Sequence, residues 1–157
     1  MSERNAWQKI VHVGQKIFGL ILSAKTLGVR VIALDEAGRI FLVRHSYVPG
    51  FHLPGGGVEN GETAEAAAAR ELAEEGGLTL TMPLELAGFF LNTRHSGRDH
   101  VVLYVARQVR QAEARAPDWE IVESGFFPLD ALPEDATPST RARVHEFLTH
   151  SPPQEIW

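Results

Sequence analysis

The chain has 157 residues, a formal net charge of −5 at pH 7 and no cysteine. This length is typical of one domain, which can bury roughly 70% of the surface that the unfolded chain exposes. The acidic balance argues against a broad basic surface for nucleic acid. The lack of cysteine excludes disulfides, thiolate metal sites and cysteine nucleophiles. We therefore expect a globular protein of the reducing cytoplasm that does not bind nucleic acid.

The first 25 residues predict an amphipathic helix. Apolar side chains recur at helical spacing from Trp7 to Ile21, and the polar side includes Lys9 and Lys16. We expect residues 1–25 to pack on the domain or on a second copy in a homodimer. Attachment to a membrane surface is the less favoured alternative. No apolar run reaches the ~18 residues that a membrane-spanning helix needs.

The next segment predicts a β-hairpin followed by a long loop. The segments Thr26–Leu34 and Arg39–His45 are rich in β-branched and apolar residues, and a turn sequence, Asp35–Gly38, separates them. The segment Val48–Gly61 contains two prolines and five glycines, which is typical of an irregular loop.

The middle of the chain predicts a strong helix over Thr63–Glu75. Its residues are mostly Ala, Glu, Leu and Arg, which favour helix, while Thr63 is suited to the N-cap and Gly76-Gly77 to the helix end. The segments predicted after it are the strands Leu84–Thr93, His100–Val109 and Glu120–Phe127 and a last helix, Ser139–His150. Strands and helices alternate irregularly, so we expect an α+β fold in which helices pack on a mixed sheet. Residues 151–157 are expected to form a tail.

Acidic residues dominate the segment Gly56–Leu78, which has six glutamates and one basic residue, Arg70. On a helix, Glu71, Glu74 and Glu75 fall within about 100° of one another, and like charges at this spacing repel. A divalent cation would remove the repulsion, and oxygen-only ligands favour Mg²⁺ or Mn²⁺. Because Mg²⁺ is often held together with substrate phosphates, the pattern indicates phosphate chemistry. The alternative is a Glu-rich helix face that is merely solvated.

The order and spacing of these residues resemble the Nudix box at every defined position. Gly56 is followed after five residues by Glu62, and after seven more by the run Arg70–Leu78. The resemblance extends upstream to Phe41–His45 and Phe51–Gly56, and downstream to Glu120-Ile121 and Phe126–Asp130. In such a box, the region around Gly56 would let the loop fold back over the start of the helix.

The resemblance implies an α/β/α sandwich over residues 26–150, with residues 1–25 outside it. It also implies Mg²⁺-dependent hydrolysis, with Mn²⁺ as a substitute, of the pyrophosphate linkage in a nucleoside diphosphate joined to another group. A nucleotide sugar, an ADP-ribose-like compound or a nucleoside triphosphate would meet that description. The alternative is a Nudix module that senses a nucleotide without catalysis, although the complete set of box carboxylates argues against it.

Transferred to this sequence, the resemblance implies a role for each charged box position. Glu71, Glu74 and Glu75 would be metal ligands. Arg70 would pair with a box carboxylate and hold it in a ligating rotamer. Glu62 would support this network, or bind a further cation through water.

Hydrolysis also needs a carboxylate that accepts the proton of the attacking water. Glu74 and Glu71 are candidates inside the box. Glu120 is a candidate outside it, because several Nudix enzymes take the base from a later loop, and Glu123 is a weaker choice.

Substrate-binding residues are less well defined by the sequence. Arg44 and Arg94 are candidates for holding phosphate groups, and Phe51 and His52 for stacking on a base. The stretch Leu91–His95 carries neither the proline of ADP-ribose subfamilies nor the tyrosine of diadenosine polyphosphate subfamilies. The substrate therefore stays open at this stage.

Overall fold

The computed structural model of the chain describes residues 26–93 and 97–157. The predicted helix in residues 1–25 and the candidate Arg94 lie outside the described residues. Among the described residues, no helix combines the length and the apolar character that crossing a membrane requires.

The described residues form eight strands and two helices. The strands are β1 (Thr26–Ala33), β2 (Ile40–His45), β3 (Phe51–His52), β4 (Leu78–Thr79), β5 (Glu85–Asn92), β6 (Asp99–Ala106), β7 (Arg110–Gln111) and β8 (Ile121–Phe127). The helices are α1 (Ala64–Gly76) and α2 (Pro138–Thr149).

The strands pair into two three-stranded sheets and one short ribbon. The first sheet has the order β1-β6-β5, in which β1 is parallel and β5 antiparallel to β6. The second has the order β3-β2-β8 and is antiparallel, and β4 pairs with β7 in the ribbon. The predicted mixed sheet with flanking helices is thus confirmed.

The sheets lie between the two helices, with an apolar core on each side. In β1, Val29 and Val31 pack in the core that contains Leu72 of α1, whereas Ile32 packs in the core that contains Val144 of α2. A strand whose alternate residues enter opposite cores is buried on both faces, which explains its nearly continuous apolar sequence.

The hairpin predicted for the first two strands is wrong, although its turn is present. The Gly38 N–H donates to the Asp35 carbonyl at 3.0 Å, but β1 and β2 share only an isolated bridge, Leu34–Ile40, and then enter different sheets. The loop after β3 takes up the N–H groups of β1 instead: Val29 donates to the Gly56 carbonyl at 2.9 Å. The polar groups that a hairpin would use are therefore already paired.

Residues 151–157, predicted as a tail, run back along the sheet. Leu91 of β5 donates its N–H to the Glu155 carbonyl at 2.9 Å and accepts from the Trp157 N–H at 3.0 Å. Leu91 and Ile156 form a parallel bridge. This segment therefore adds a short extension to the edge of β5.

Candidate active site

Helix α1 presents the predicted box carboxylates in a fixed register. At its start the Thr63 Oγ1 accepts from the Ala66 N–H at 3.1 Å, and at its end Gly77 adopts the left-handed conformation, with φ of 60°. Leu72 is fully buried and anchors the helix in the core. Both predicted helix ends are confirmed, and with them the position of each glutamate on the helix.

Arg70 gathers the carboxylates into one cluster. Its guanidinium donates to Glu62 (Nε to Oε1, 3.0 Å), Glu71 (Nη1 to Oε1, 2.8 Å), Glu74 (Nη1 to Oε2, 3.1 Å) and the Gly57 carbonyl (Nη2, 3.0 Å). The bond from Arg70 lowers the pKa of Glu62, and the bonds to Glu62 and Glu71 raise the pKa of Arg70. The predicted pairing of Arg70 with box carboxylates is present in the structure.

Glu75 lies on the buried side of the helix. Its Oε2 accepts from the Gly55 N–H at 2.7 Å, and its Oε1 lies 3.4 Å from Nε2 of His45. Burial raises the pKa of Glu75 to about 7. Burial, with the nearby positive charge of Arg30, lowers the pKa of His45 to about 4, so His45 is neutral near pH 7.

Two glycines bring the loop against the helix and the sheet. Gly55 has φ of 140°, and a Cβ there would lie 2.1 Å from the Val29 carbonyl oxygen. A Cβ on Gly56 would lie 2.3 Å from Oε1 of Glu71. The approach predicted around Gly56 is therefore real, and only a residue without a side chain allows it.

The donor set suits a hard divalent cation in chemical type. Glu71, Glu74 and Glu75 offer only carboxylate oxygens, and Gly56 leaves room beside Glu71. Among the described residues, however, no group of three or more His, Cys, Asp or Glu side chains is arranged to hold a metal ion. Arg70 engages Glu71 and Glu74, while Glu75 bonds to the loop. The residues present are therefore of the right chemical type for a divalent cation, but their three carboxylates do not face a common point.

The two predicted bases outside the box, Glu120 and Glu123, have different surroundings. The negative charge of Glu120 contributes to the raised pKa values of Glu75 and Tyr47. Glu123 lies 3.4 Å from Nε of Arg44 in an ion pair. Glu120 is therefore the stronger candidate.

The structure does not support two of the predicted substrate contacts. Phe51 is 2% exposed and packs against Phe127 with ring centroids 5.1 Å apart, so it is a core residue and not an open platform. Arg44 lies over the Phe51 ring and pairs with Asp135 at 2.8 Å and with Glu123. A period-two sequence pattern does not say which of two buried faces a strand residue enters, so the sequence alone does not distinguish a core role for Phe51 from a ligand contact.

Two cavities are lined by residues that neighbour the box carboxylates Glu71 and Glu75. One of about 400 Å³ is lined by His45, His52 and Tyr47, and the other, of about 300 Å³, is lined by Gly56. Both are also lined by Arg30, Asn92 and Trp157. We call the pair of cavities the cleft. His52 is thus the predicted stacking residue that does lie at an open site.

Sequence reasoning missed three residues that shape this region. Arg30 donates to the carbonyls of Leu53 and Gly55 and lines the cleft. Arg115 donates to the Glu74 carbonyl and to Asp118, which ties the loop before β8 to α1. Trp157, the third of these residues, lines both cavities of the cleft. Each makes at least one contact in this region with a residue distant in sequence, which no local pattern signals.

Comparison with known proteins agrees with this geometry. The family model described as NUDIX domain matches residues 24–147. The chain is 30% identical over 122 residues to a putative 8-oxo-dGTP diphosphatase of Bacillus subtilis, covering 78% of this chain and 79% of that protein. It is 35% identical over 105 residues to an ADP-ribose pyrophosphatase of Methanocaldococcus jannaschii, covering 64% and 61%.

A solved structure shows the same fold. The MutT NUDIX hydrolase from Burkholderia pseudomallei matches with a TM-score of 0.65 and 27% identity, over 76% of this chain and 95% of that one. The family match covers most of the chain and includes the whole carboxylate cluster. The chain therefore belongs to the Nudix hydrolase family.

Proposed function

We propose that this Nudix pyrophosphohydrolase uses Mg²⁺ to cleave the pyrophosphate linkage of a nucleoside diphosphate joined to another group. The observation that carries the proposal is the cluster in which Arg70 contacts Glu62, Glu71 and Glu74 beside the cleft. A cluster of carboxylates next to a cavity suits a cation that binds substrate phosphates.

Glu71, Glu74 and Glu75 are the residues that would hold Mg²⁺, with Mn²⁺ as a substitute. When bound, such a cation neutralises phosphate oxygens and lowers the pKa of water. The chain's own contribution is positional: Arg70 restrains two of the carboxylates, and the Gly55 N–H restrains Glu75.

Proton transfer is assigned to a carboxylate close to the cluster. Water that attacks one phosphorus must lose a proton as the other phosphate departs, and a carboxylate within hydrogen-bond reach can accept it. Glu120 is our first choice outside the box, since its charge is felt by Glu75. Glu71 and Glu74 are the choices within the box.

The relatives suggest which substrates to test. Their names include a putative 8-oxo-dGTP diphosphatase and an ADP-ribose pyrophosphatase, which represent a nucleoside triphosphate and a nucleoside diphosphate derivative. Both types contain a planar base and a pyrophosphate linkage. Nucleotide sugars share these features and complete the panel.

The proposal is tested by a turnover screen over 8-oxo-dGTP, dGTP, ADP-ribose, nucleotide sugars and dinucleotides, with Mg²⁺ or Mn²⁺. The variant Glu74→Gln serves as the blank, and Glu65→Gln on the same helix as the matched control. We expect one class to be hydrolysed by the wild type and by Glu65→Gln and not by Glu74→Gln. Equal turnover by Glu74→Gln and the wild type would overturn the assignment of the cluster.

A further inference from the structure

Trp157 occupies a place in the fold that the carboxylate cluster does not explain. The residue is partly exposed and lines both cavities of the cleft. One side is supported by the fully buried ring of Phe90, in a T-shaped contact with centroids 5.3 Å apart. An aromatic ring supported on one side and open to a cavity on another can serve as a stacking surface.

The backbone around Trp157 is fixed to the sheet. Its N–H donates to the Leu91 carbonyl at 3.0 Å, and Leu91 in turn donates to Glu155 at 2.9 Å. These bonds extend the edge of β5 by one short parallel segment. The indole is therefore held at a defined position relative to the cleft.

A buried arginine of α2 reinforces this position. Arg143 is 1% exposed, and its guanidinium lies 4.3 Å from the Phe90 ring centroid and 5.5 Å from that of Trp157. Its Nη1 donates to the Ile156 carbonyl at 3.3 Å, and its Nη2 to Glu146 Oε1 at 2.8 Å. These contacts tie the backbone beside Trp157 to α2, although Nε of Arg143 is buried without a hydrogen-bond partner among the described residues.

Two residues that line the cleft lie next to box carboxylates. The larger cavity is lined by His45, which lies 3.4 Å from Glu75, and the smaller by Gly56, which packs against Glu71. A ligand on the Trp157 side of the cleft would thus extend toward α1. Cavities of this size are within the range that accommodates small organic ligands.

From this arrangement we infer that Trp157 is a substrate-specificity residue whose indole stacks on the planar base of the nucleotide. The inference rests on the proposed function, because it places the base of that substrate in the cleft and its pyrophosphate toward α1. Base stacking on aromatic side chains is largely independent of base identity. We therefore expect Trp157 to discriminate nucleotides from phosphates that lack a base.

The kinetic test compares Trp157→Ala, Trp157→Phe and Ile156→Ala with the wild type, using the best nucleotide from the turnover screen. Ile156 is the matched control because it lies in the same segment, is 44% exposed and lines neither cavity. We expect Trp157→Ala to raise KM about tenfold or more with kcat within about threefold, and Trp157→Phe to recover most of the loss. Ile156→Ala should stay close to the wild type.

A binding experiment tests the role of Trp157 without relying on turnover. Tryptophan fluorescence is titrated with AMP, GMP and ribose 5-phosphate, the last being the probe without a base. We expect AMP and GMP to quench the wild type, and ribose 5-phosphate to have little effect. Trp157→Phe should lose this quenching although Trp7 and Trp119 remain.

The outcomes separate this inference from the proposed function. Hydrolysis that depends on Glu74, combined with an unchanged KM in Trp157→Ala and quenching that persists in Trp157→Phe, would overturn the role of Trp157 alone. Equal increases of KM in Trp157→Ala and Ile156→Ala would also overturn it, because they would report loss of the segment and not of the ring. Failure of the proposed function would appear instead as hydrolysis that is unaffected by Glu74→Gln.

Discussion

The carboxylate of Glu75 accepts a hydrogen bond from the backbone N–H of Gly55 at 2.7 Å, although the two residues are 20 positions apart in the sequence. This bond joins the glycine-rich loop to the last turn of α1. It explains why a glutamate stands on the buried side of the helix, where an apolar residue is the usual choice. Glu75, which we propose as a metal ligand, thus also fixes the glycine-rich loop against α1.

Two substitutions of Glu75 should separate these two tasks. Glu75→Gln keeps an oxygen that can accept from the Gly55 N–H, so we expect the free energy of unfolding to change little. Glu75→Ala leaves that buried N–H unpaired and should cost about 1–3 kcal/mol of stability. Turnover should fall by orders of magnitude in both. Urea unfolding and steady-state kinetics measure the two effects, and equal stability of the two variants would contradict the structural role.

Arg70 should be sensitive even to replacement by lysine. Its guanidinium contacts Glu62, Glu71 and Glu74 together, a geometry that a single ammonium group does not reproduce. We expect Arg70→Lys to lower kcat about 10- to 100-fold, as is typical when a residue that orients metal ligands is lost. The control is Arg107→Lys, since Arg107 pairs with Glu85 away from the cluster. Activity of Arg70→Lys equal to that of the control would refute this role.

Neighbouring glycines of the loop provide a matched pair. A Cβ on Gly56 would meet Oε1 of Glu71 at 2.3 Å, whereas a Cβ on Gly57 would meet nothing within 4 Å. We expect Gly56→Ala to displace the Glu71 carboxylate and lower kcat by about 100-fold. Gly57→Ala should lower kcat far less. Circular dichroism of both variants shows whether the fold is kept, and similar losses in the two would argue against the close approach at Gly56.

Stability should depend on pH through Asp118. Its carboxylate accepts from the Ile121 N–H at 2.8 Å, from Arg115 and from the Glu120 N–H at 2.9 Å, and these bonds lower its pKa to about 2. A lowered folded-state pKa stabilises the fold above the unfolded-state pKa, near 4, and this contribution is lost as pH falls toward 2.

The test is the difference in melting temperature between the wild type and Asp118→Asn. The variant should melt lower than the wild type at pH 5 to 7, and the difference should shrink by pH 3. A difference that is the same at pH 3 and at pH 7 would mean that the charge of Asp118 does not contribute.

The sequence was most informative where structure is local. The bounds of α1, its Thr63 cap and its Gly77 end follow from residues that are neighbours in the chain, and these were predicted almost to the residue. The pairing of β1 was not predictable in this way, because its partners, β6 and the loop after β3, are far along the chain. A turn sequence predicts a reversal of the chain but not which strands then pair.

The candidate site also has a part that the local sequence predicts and a part that depends on distant segments. The box residues follow from an ordered motif, and the contacts of Arg70 agree with it. Arg30 and Trp157 enter the cleft only through the folding of distant segments, so composition and periodicity gave no sign of them. Phe51 is a further case that the sequence leaves open, since an aromatic residue beside a motif is as suited to the core as to a ligand.

The central claim is most directly tested by measuring hydrolysis of the best substrate as a function of Mg²⁺ concentration, for the wild type, Glu74→Gln and Glu65→Gln. The account predicts that a chelator abolishes activity in the wild type and in Glu65→Gln and that Mg²⁺ restores it. It also predicts that Glu74→Gln stays lower by orders of magnitude at every Mg²⁺ concentration. Hydrolysis that persists in the chelator, or that follows the same Mg²⁺ curve in Glu74→Gln as in the wild type, would contradict the account.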